Sequence, residues 1–196
     1  MLLPARPVSP LKLRTAFLDR DGVINEKMPE GRYVRSPCEL RLLQGAAEAI
    51  ARLNRAHIRT LVVTNQRGIA LGLYTMNDVE AIHAALQRLL AASGAHVDRF
   101  YVCPHDKGQC NCRKPLPGLY ERALAEFPDI KAAASVLIGD SLSDIEFGRR
   151  VDMHTVFIEG ESSRRGQDAE AARALADFRS RCLSEAVETL LAKTTE

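Results

Sequence analysis

Strand-like and helix-like apolar runs alternate along this chain from Arg14 onward, and no other feature restricts the fold as strongly. The stretches RTAFLD (14–19), IRTLVVTN (58–65), HVDRFYVC (96–103), SVLIGD (135–140) and HTVFIEG (154–160) are short, apolar and bounded by polar turns. They read as strands, and the β-branched run of IRTLVVTN as a buried parallel one. Helical patterns separate them. GAAEAIARLNRAHI (45–58) is one. A second opens at Thr75 with Asp78 as a capping-box pair, repeats Val79, Ile82, Leu86, Leu89 and Leu90 at helical spacing, and stops near Ser93 and Gly94. PGLYERALAEF (117–127) and DIEFGRRV (144–151) supply two more. The tail adds an alanine-rich helix at 167–176, a short strand at DFRSRC (177–182) and a last helix. That last helix carries a packing stripe of Leu183, Ala186, Val187, Leu190 and Leu191. This alternation predicts an α/β protein, a Rossmann-like three-layer sandwich with a parallel sheet covered by helices on both faces. In such sheets ligands sit at the carboxyl ends of the strands.

Size and charge bound the rest. A chain of 196 residues fits one core, so residues 1–13, with three prolines, are expected to form an arm and 14–196 a single domain. A net charge of +2 is too balanced for nucleic-acid binding by field alone, and any phosphate chemistry must come from local residues. No apolar run is long enough for a signal peptide or a membrane span, so a cytoplasmic monomer with a small-molecule substrate and no membrane partner is expected. Five cysteines is an odd number, and three of them lie within ten residues, which favours a metal site over disulfides. Cys38 and Cys182 read as small buried residues.

Polar clusters mark three strand ends. Asp19 and Asp21, in AFLDRDGVIN, lie two apart, a spacing that turns both carboxylates to one side of an extended chain. One carboxylate can attack phosphorus while the other moves a proton. An aspartate-rich turn after a strand fits this stretch equally well. Thr64, Asn65 and Gln66 offer neutral donors for phosphate oxygens at the second strand end. In GDSLSD, Asp140 can share a magnesium ion with Asp19. Asp144 would stand behind it, or serve as a first-turn helix acid. The stretch CPHDKGQCNCRKP adds Cys103, His105, Cys110 and Cys112, enough to close a tetrahedral zinc with no open position. Such a zinc loop, 103–112, would be structural, mounting Arg113 and Lys114, which follow its last ligand directly. A zinc-stabilised binding module is the competing class, disfavoured by the charge and the strand pattern.

AFLDRDGVIN, VVTNQ, CRKP and GDSLSD, in that order, resemble the four motifs of the haloacid dehalogenase-like phosphatases over roughly residues 14–160. The resemblance implies a magnesium-dependent phosphomonoesterase with Asp19 as nucleophile, Asp21 as acid and base, and Thr64 and Lys114 on the phosphate. Magnesium would fall to Asp19, Asp140 and the backbone carbonyl of Asp21, with Asp144 behind them. The cysteine and histidine element resembles the zinc-bearing branch, whose members act on heptose bisphosphate or on histidinol phosphate. TNQRGIALGLYT is closer to the heptose pattern, whereas the short spacing from His105 to Cys110 is nearer the histidinol type. The resemblance therefore implies removal of the C7 phosphate of a D-glycero-D-manno-heptose 1,7-bisphosphate, a step toward nucleotide-activated heptose for surface polysaccharide. Histidinol phosphate is the alternative. It also implies that Asn65, Gln66, Arg67 and Arg113 contact substrate. Ser141 departs from the heptose pattern, which has lysine there. No cap domain fits between the motifs, so loops at about 26–37, 66–75 and 103–113 would have to exclude water and choose the substrate.

Overall fold

The computed structural model describes residues 12–160 and 167–194, so most of the expected arm lies outside the described residues. Six strands form one sheet: β1 (Thr15–Leu18), β2 (Arg59–Asn65), β3 (Arg99–Cys103), β4 (Ser135–Gly139), β5 (His154–Ile158) and β6 (Phe178–Ser180). Their order is β3-β2-β1-β4-β5-β6, and every neighbouring pair is parallel. Helices α1 (Ala46–Arg55), α2 (Met76–Ala91), α3 (Gly118–Glu126), α4 (Leu142–Arg150), α5 (Gln167–Leu175) and α6 (Leu183–Thr194) complete the three layers.

The two-residue side-chain alternation of the strands divides the core. Ala16, Leu18, Val62, Val136 and Ile138 pack with α1, α2 and α6 on one face. Phe17, Leu61, Val63 and Leu137 pack on the other with Leu119 and Ala123 of α3 and Phe147 of α4. Phe157 meets Ile145 of α4 and Ala169 and Ala172 of α5. Leu13, expected at the end of the arm, is already in the core at 3% exposure.

Three details depart from the sequence pattern. The third strand begins at Arg99 rather than His96 because the Gln87 side-chain amide takes both backbone groups of Val97, at 2.8 and 2.9 Å, and closes the chain against α2 instead of the sheet. On α2, Leu89 faces solvent while Val79, Ile82, Leu86 and Leu90 form the buried stripe. Cys38 and Cys182 are exposed, contrary to expectation. Each sits beside a residue that takes the core position instead: Leu40 after the short turn Pro37–Glu39, and Leu183 at the start of α6.

In this strand order the chain reverses direction across the sheet between β1 and β4, and the crevice beyond their carboxyl ends is where such folds bind ligands. Asp19 follows β1, Asp140 follows β4, and Thr64 lies near the end of the neighbouring β2.

Candidate active site

A cavity of about 300 Å³ opens at that crevice, lined by Asp19, Asp21, Thr64, Lys114, Asp140 and Asp144 together with the loop from Lys27 to Val34. The first strand hands Asp19 to the site while its backbone N–H still bonds the Ile138 carbonyl of β4 at 2.9 Å, so the residue is fixed by the sheet itself. Gly22 lets the chain turn away. Its φ is +93°, and a Cβ there would stand 2.3 Å from Asp140 Oδ2, so both the backbone conformation and the close approach require glycine.

Lys114 is the centre of the arrangement. Its side chain is 2% exposed, and Nζ donates to Asp19 Oδ1 at 2.8 Å and the Val63 carbonyl at 2.7 Å, and pairs with Asp144 Oδ1 at 2.6 Å. Burial works against its charge, but Asp144 and Asp19 outweigh that and hold the ammonium above the usual lysine range. Asp19 responds oppositely. Burial, reinforced by the nearby charges of Asp144 and Asp140, pushes its carboxyl up to about 7 despite Lys114. Asp140 is raised as well, chiefly by burial, although Lys27 Nζ donates to both of its oxygens at 2.9 and 2.7 Å.

Asp21 lives in different surroundings. Burial alone would raise its proton affinity, but the Arg20 charge and hydrogen bonds from Asn25, Arg20 and Gln66 keep it below the usual carboxylate range. Arg20 Nη2 reaches both Asp21 oxygens at 3.0 and 2.8 Å, Asn25 Nδ2 reaches Oδ1 at 2.9 Å and Gln66 Nε2 reaches Oδ2 at 3.0 Å. Arg20 is wholly buried, with Nη1 3.4 Å from His83 Nε2, and His83 stacks on Phe100 with ring centroids 4.2 Å apart.

The neutral residues of the second strand end have work within the protein. Gln66 bridges Asp21 and the Thr64 hydroxyl and accepts from the Tyr74 hydroxyl at 2.7 Å, so its amide aligns the site. Asn65 grips the Lys114 backbone, donating to its carbonyl at 3.1 Å and accepting from its N–H at 3.0 Å. Arg67 pairs with Asp106 of the cysteine loop. Arg113 lines the 300 Å³ cavity and an adjoining one of about 540 Å³, and its Nη1 is buried without a hydrogen-bond partner among the described residues. Asp144 takes the first-turn helix position anticipated for it and adds a pairing that the sequence did not suggest. It pairs with Lys114, and through Oδ2 it caps α4 in a capping box with Ser141. Sequence reasoning missed Arg20, His83, Asn25 and Lys27. Arg20 and Asn25 were visible within AFLDRDGVIN, whereas nothing local marks His83 or Lys27.

Two groups of donors match metal chemistry. Asp19, Asp140 and Asp144 bring carboxylate oxygens within 4.8 Å of one another, a concentration of buried negative charge and hard oxygen that suits magnesium. Cys103, His105, Cys110 and Cys112 gather equally closely. The four contacts of Cys103 Sγ to Cys110 Sγ, Cys110 Sγ to Cys112 Sγ, and His105 Nδ1 to Cys112 and Cys103 are 3.6, 3.4, 3.3 and 3.8 Å. A zinc tetrahedron with ordinary bond lengths has ligand-to-ligand edges of roughly 3.5–3.8 Å, and the contacts lie within about 0.4 Å of those edges, so the donor set suits that ion. Cys103 ends β3 beside Asn65 of β2, which ties the loop to the sheet edge nearest Lys114.

A parallel sheet in this order, with Asp19 and Asp140 at two strand ends and a buried Lys114 paired to Asp19 and to Asp144 of α4, has the arrangement of a haloacid dehalogenase-like phosphatase. The HAD-hydrolase-like family matches residues 111–181. The chain belongs to this family, and its place within it is among proteins named heptose-bisphosphate phosphatases. It is 46% identical over 136 residues to the D-glycero-alpha-D-manno-heptose-1,7-bisphosphate 7-phosphatase of Mycobacterium tuberculosis, spanning 69% of this chain and 71% of that one. It is 43% identical to the D-glycero-beta-D-manno-heptose-1,7-bisphosphate 7-phosphatase of Bordetella bronchiseptica, over 68% of this chain and 74% of that one. Among solved structures, the D,D-heptose 1,7-bisphosphate phosphatase of B. bronchiseptica, complexed with magnesium and phosphate, superposes with a TM-score of 0.79 at 32% identity. That match covers 92% of this chain and 99% of the other.

Proposed function

We propose that this chain removes the C7 phosphate of a D-glycero-D-manno-heptose 1,7-bisphosphate. Asp19 would be the nucleophile and Asp21 the acid and base. The observation that carries the chemistry is the meeting of Asp19, Asp144 and Lys114 on one cavity floor, with Asp21 held apart by Arg20, Asn25 and Gln66. The names of the relatives support the heptose ester over histidinol phosphate, and the family sets aside a zinc-finger binding module.

An Asp19 oxygen attacks phosphorus in line, the phosphorus bond to the sugar oxygen breaks, and Asp21 protonates the departing alkoxide. The arriving phosphate dianion lies beside Asp21 and raises its proton affinity, the direction that donation requires. Water then gives a proton to Asp21 and attacks the aspartyl-phosphate, returning Asp19. Lys114 and the Thr64 hydroxyl hold the equatorial oxygens. Magnesium, held by Asp19, Asp140 and the Asp21 backbone carbonyl, would supply positive charge that favours ionised Asp19 and offsets the phosphate. Zinc on the four-ligand loop would do no chemistry. Asn65, tied to the Lys114 backbone, transmits its rigidity to the phosphate holder. Arg113 faces the adjoining cavity, where the second phosphate of the substrate would lie. Among the described residues no helix is long and apolar enough to cross a membrane, and a thiol-based zinc site suits the reducing cytoplasm.

Two measurements test this reading. Asp19→Asn should lower turnover by about a thousandfold or more while fold and zinc content survive, and undiminished phosphate release would remove Asp19 from its role. Steady-state kinetics on both anomers of the heptose bisphosphate, on histidinol phosphate and on simple sugar phosphates should favour the heptose. A preference for histidinol phosphate would overturn the substrate and leave the chemistry standing.

A further inference from the structure

Lys27 is not required by the chemistry above, yet it makes the closest contacts to Asp140. Its Nζ lies 2.9 and 2.7 Å from the two carboxylate oxygens, so both are engaged by one ammonium. The partners differ sharply in access: the Asp140 side chain is 2% exposed and that of Lys27 is 40% exposed. Lys114, by contrast, is 2% exposed and held by Asp19, Asp144 and the Val63 carbonyl. One cation is thus built into the floor, and the other reaches in from the mouth. The Lys27 backbone is anchored next door, where Glu26 N–H donates to the Arg41 carbonyl at 2.8 Å and Asn25 Nδ2 donates to the Glu26 carbonyl at 2.8 Å. The side chain, 40% exposed, extends from that held backbone and lines both the 300 and the 540 Å³ cavities.

We infer that Lys27 is a tethered counter-ion for Asp140 that gives way when a divalent cation binds. This rests on the magnesium reading above. Three buried carboxylates crowded together carry a large self-repulsion, and a cation supplied by the chain relieves it when no metal is bound. A metal that uses an Asp140 oxygen must displace that ammonium or share the carboxylate with it. Either course weakens metal binding in the free enzyme. The released ammonium remains on the lining of both cavities, next to whatever anion accompanies the metal.

Calorimetric titration of magnesium chloride into the full, substrate-free protein tests the exchange, with wild type, Lys27→Met, Lys107→Met and Asp140→Asn compared after circular dichroism has verified folding. Lys107 lines the 540 Å³ cavity without contacting Asp140, so it reports the through-space effect of losing one positive charge. Lys27→Met is expected to bind magnesium on the order of three- to fivefold more tightly, the scale of one half-exposed ion pair, with Lys107→Met within about 1.5-fold of wild type. Unchanged or weaker binding by Lys27→Met, or an equal gain in Lys107→Met, overturns the inference. Loss of binding in Asp140→Asn keeps the magnesium reading intact in either case. Wild-type affinity in Asp140→Asn would instead remove the magnesium reading, and the exchange with it.

Discussion

Asp19 and Asp21 are two residues apart and carry the same functional group, yet the protein sets them in opposite electrostatic directions. Burial among Asp140 and Asp144 pushes Asp19 up to about 7, and Arg20 with the side-chain amides of Asn25 and Gln66 holds Asp21 down. Gln66 transmits part of this control, because Tyr74 fixes its orientation from behind. Tyr74→Phe deletes that hydroxyl and leaves Gln66 Oε1 buried without its donor. Stability should fall by about 1 kcal/mol in urea denaturation, the usual cost of such a loss. Turnover should fall roughly two- to fivefold with KM unchanged, because proton transfer from Asp21 loses alignment. A variant with unaltered kcat would show that Gln66 needs no such support. AFLDRDGVIN places both carboxylates and Arg20 on view, so the acid pair was legible. The difference between the carboxylates was not, since it depends on burial and on Lys114, Asp140, Asp144 and Gln66 arriving from other elements.

At the scale of elements, strands and helices follow from local periodicity, and five expected strands and the short sixth all appear. Boundaries moved where a side chain captured backbone groups. Gln87 shortened the third strand, and Ser141 with Asp144 started α4 two residues before Asp144 itself. The cysteine loop was legible because its four donors lie within ten residues. What the loop holds was less so. It carries the Arg67–Asp106 ion pair as well as Arg113 and Lys114, joining two of the loops expected to shape the substrate site. Cys110→Ser should bind less zinc by elemental analysis, and kcat/KM should drop by about tenfold or more as Lys114 loses its mount. Full activity without zinc would refute the mounting role.

For the whole molecule, buried titratable groups make stability depend on pH in both directions. Burial, helped by the Arg20 charge, lowers His83 from 6.5 to about 3, so the folded state keeps it neutral while the unfolded chain takes up a proton. Its contribution is complete above pH 6.5 and is lost as pH falls toward 3, by about 1.4 kcal/mol per pH unit inside that window. Asp19 acts oppositely in the metal-free protein. With its folded value raised to about 7 from 3.8, its contribution is lost as pH rises through that interval. His83→Gln should therefore be less stable than wild type at pH 7, with the gap in Tm narrowing as pH is lowered to 5. A gap that stays constant would mean that His83 does not titrate on unfolding.

The sequence by itself determined the order of strands and helices, the three polar strand ends and the four clustered metal donors. Each of those depends on spacing within a dozen or so residues, where periodicity and chain geometry operate. Only the tertiary structure decided which charges face one another. Lys27 meets Asp140 across 113 residues, Arg20 meets His83 across 63, and Lys114 meets Asp19 across 95. Those pairings exist because a parallel sheet carries distant strand ends to one crevice and excludes water there, where a charge without a partner is most costly.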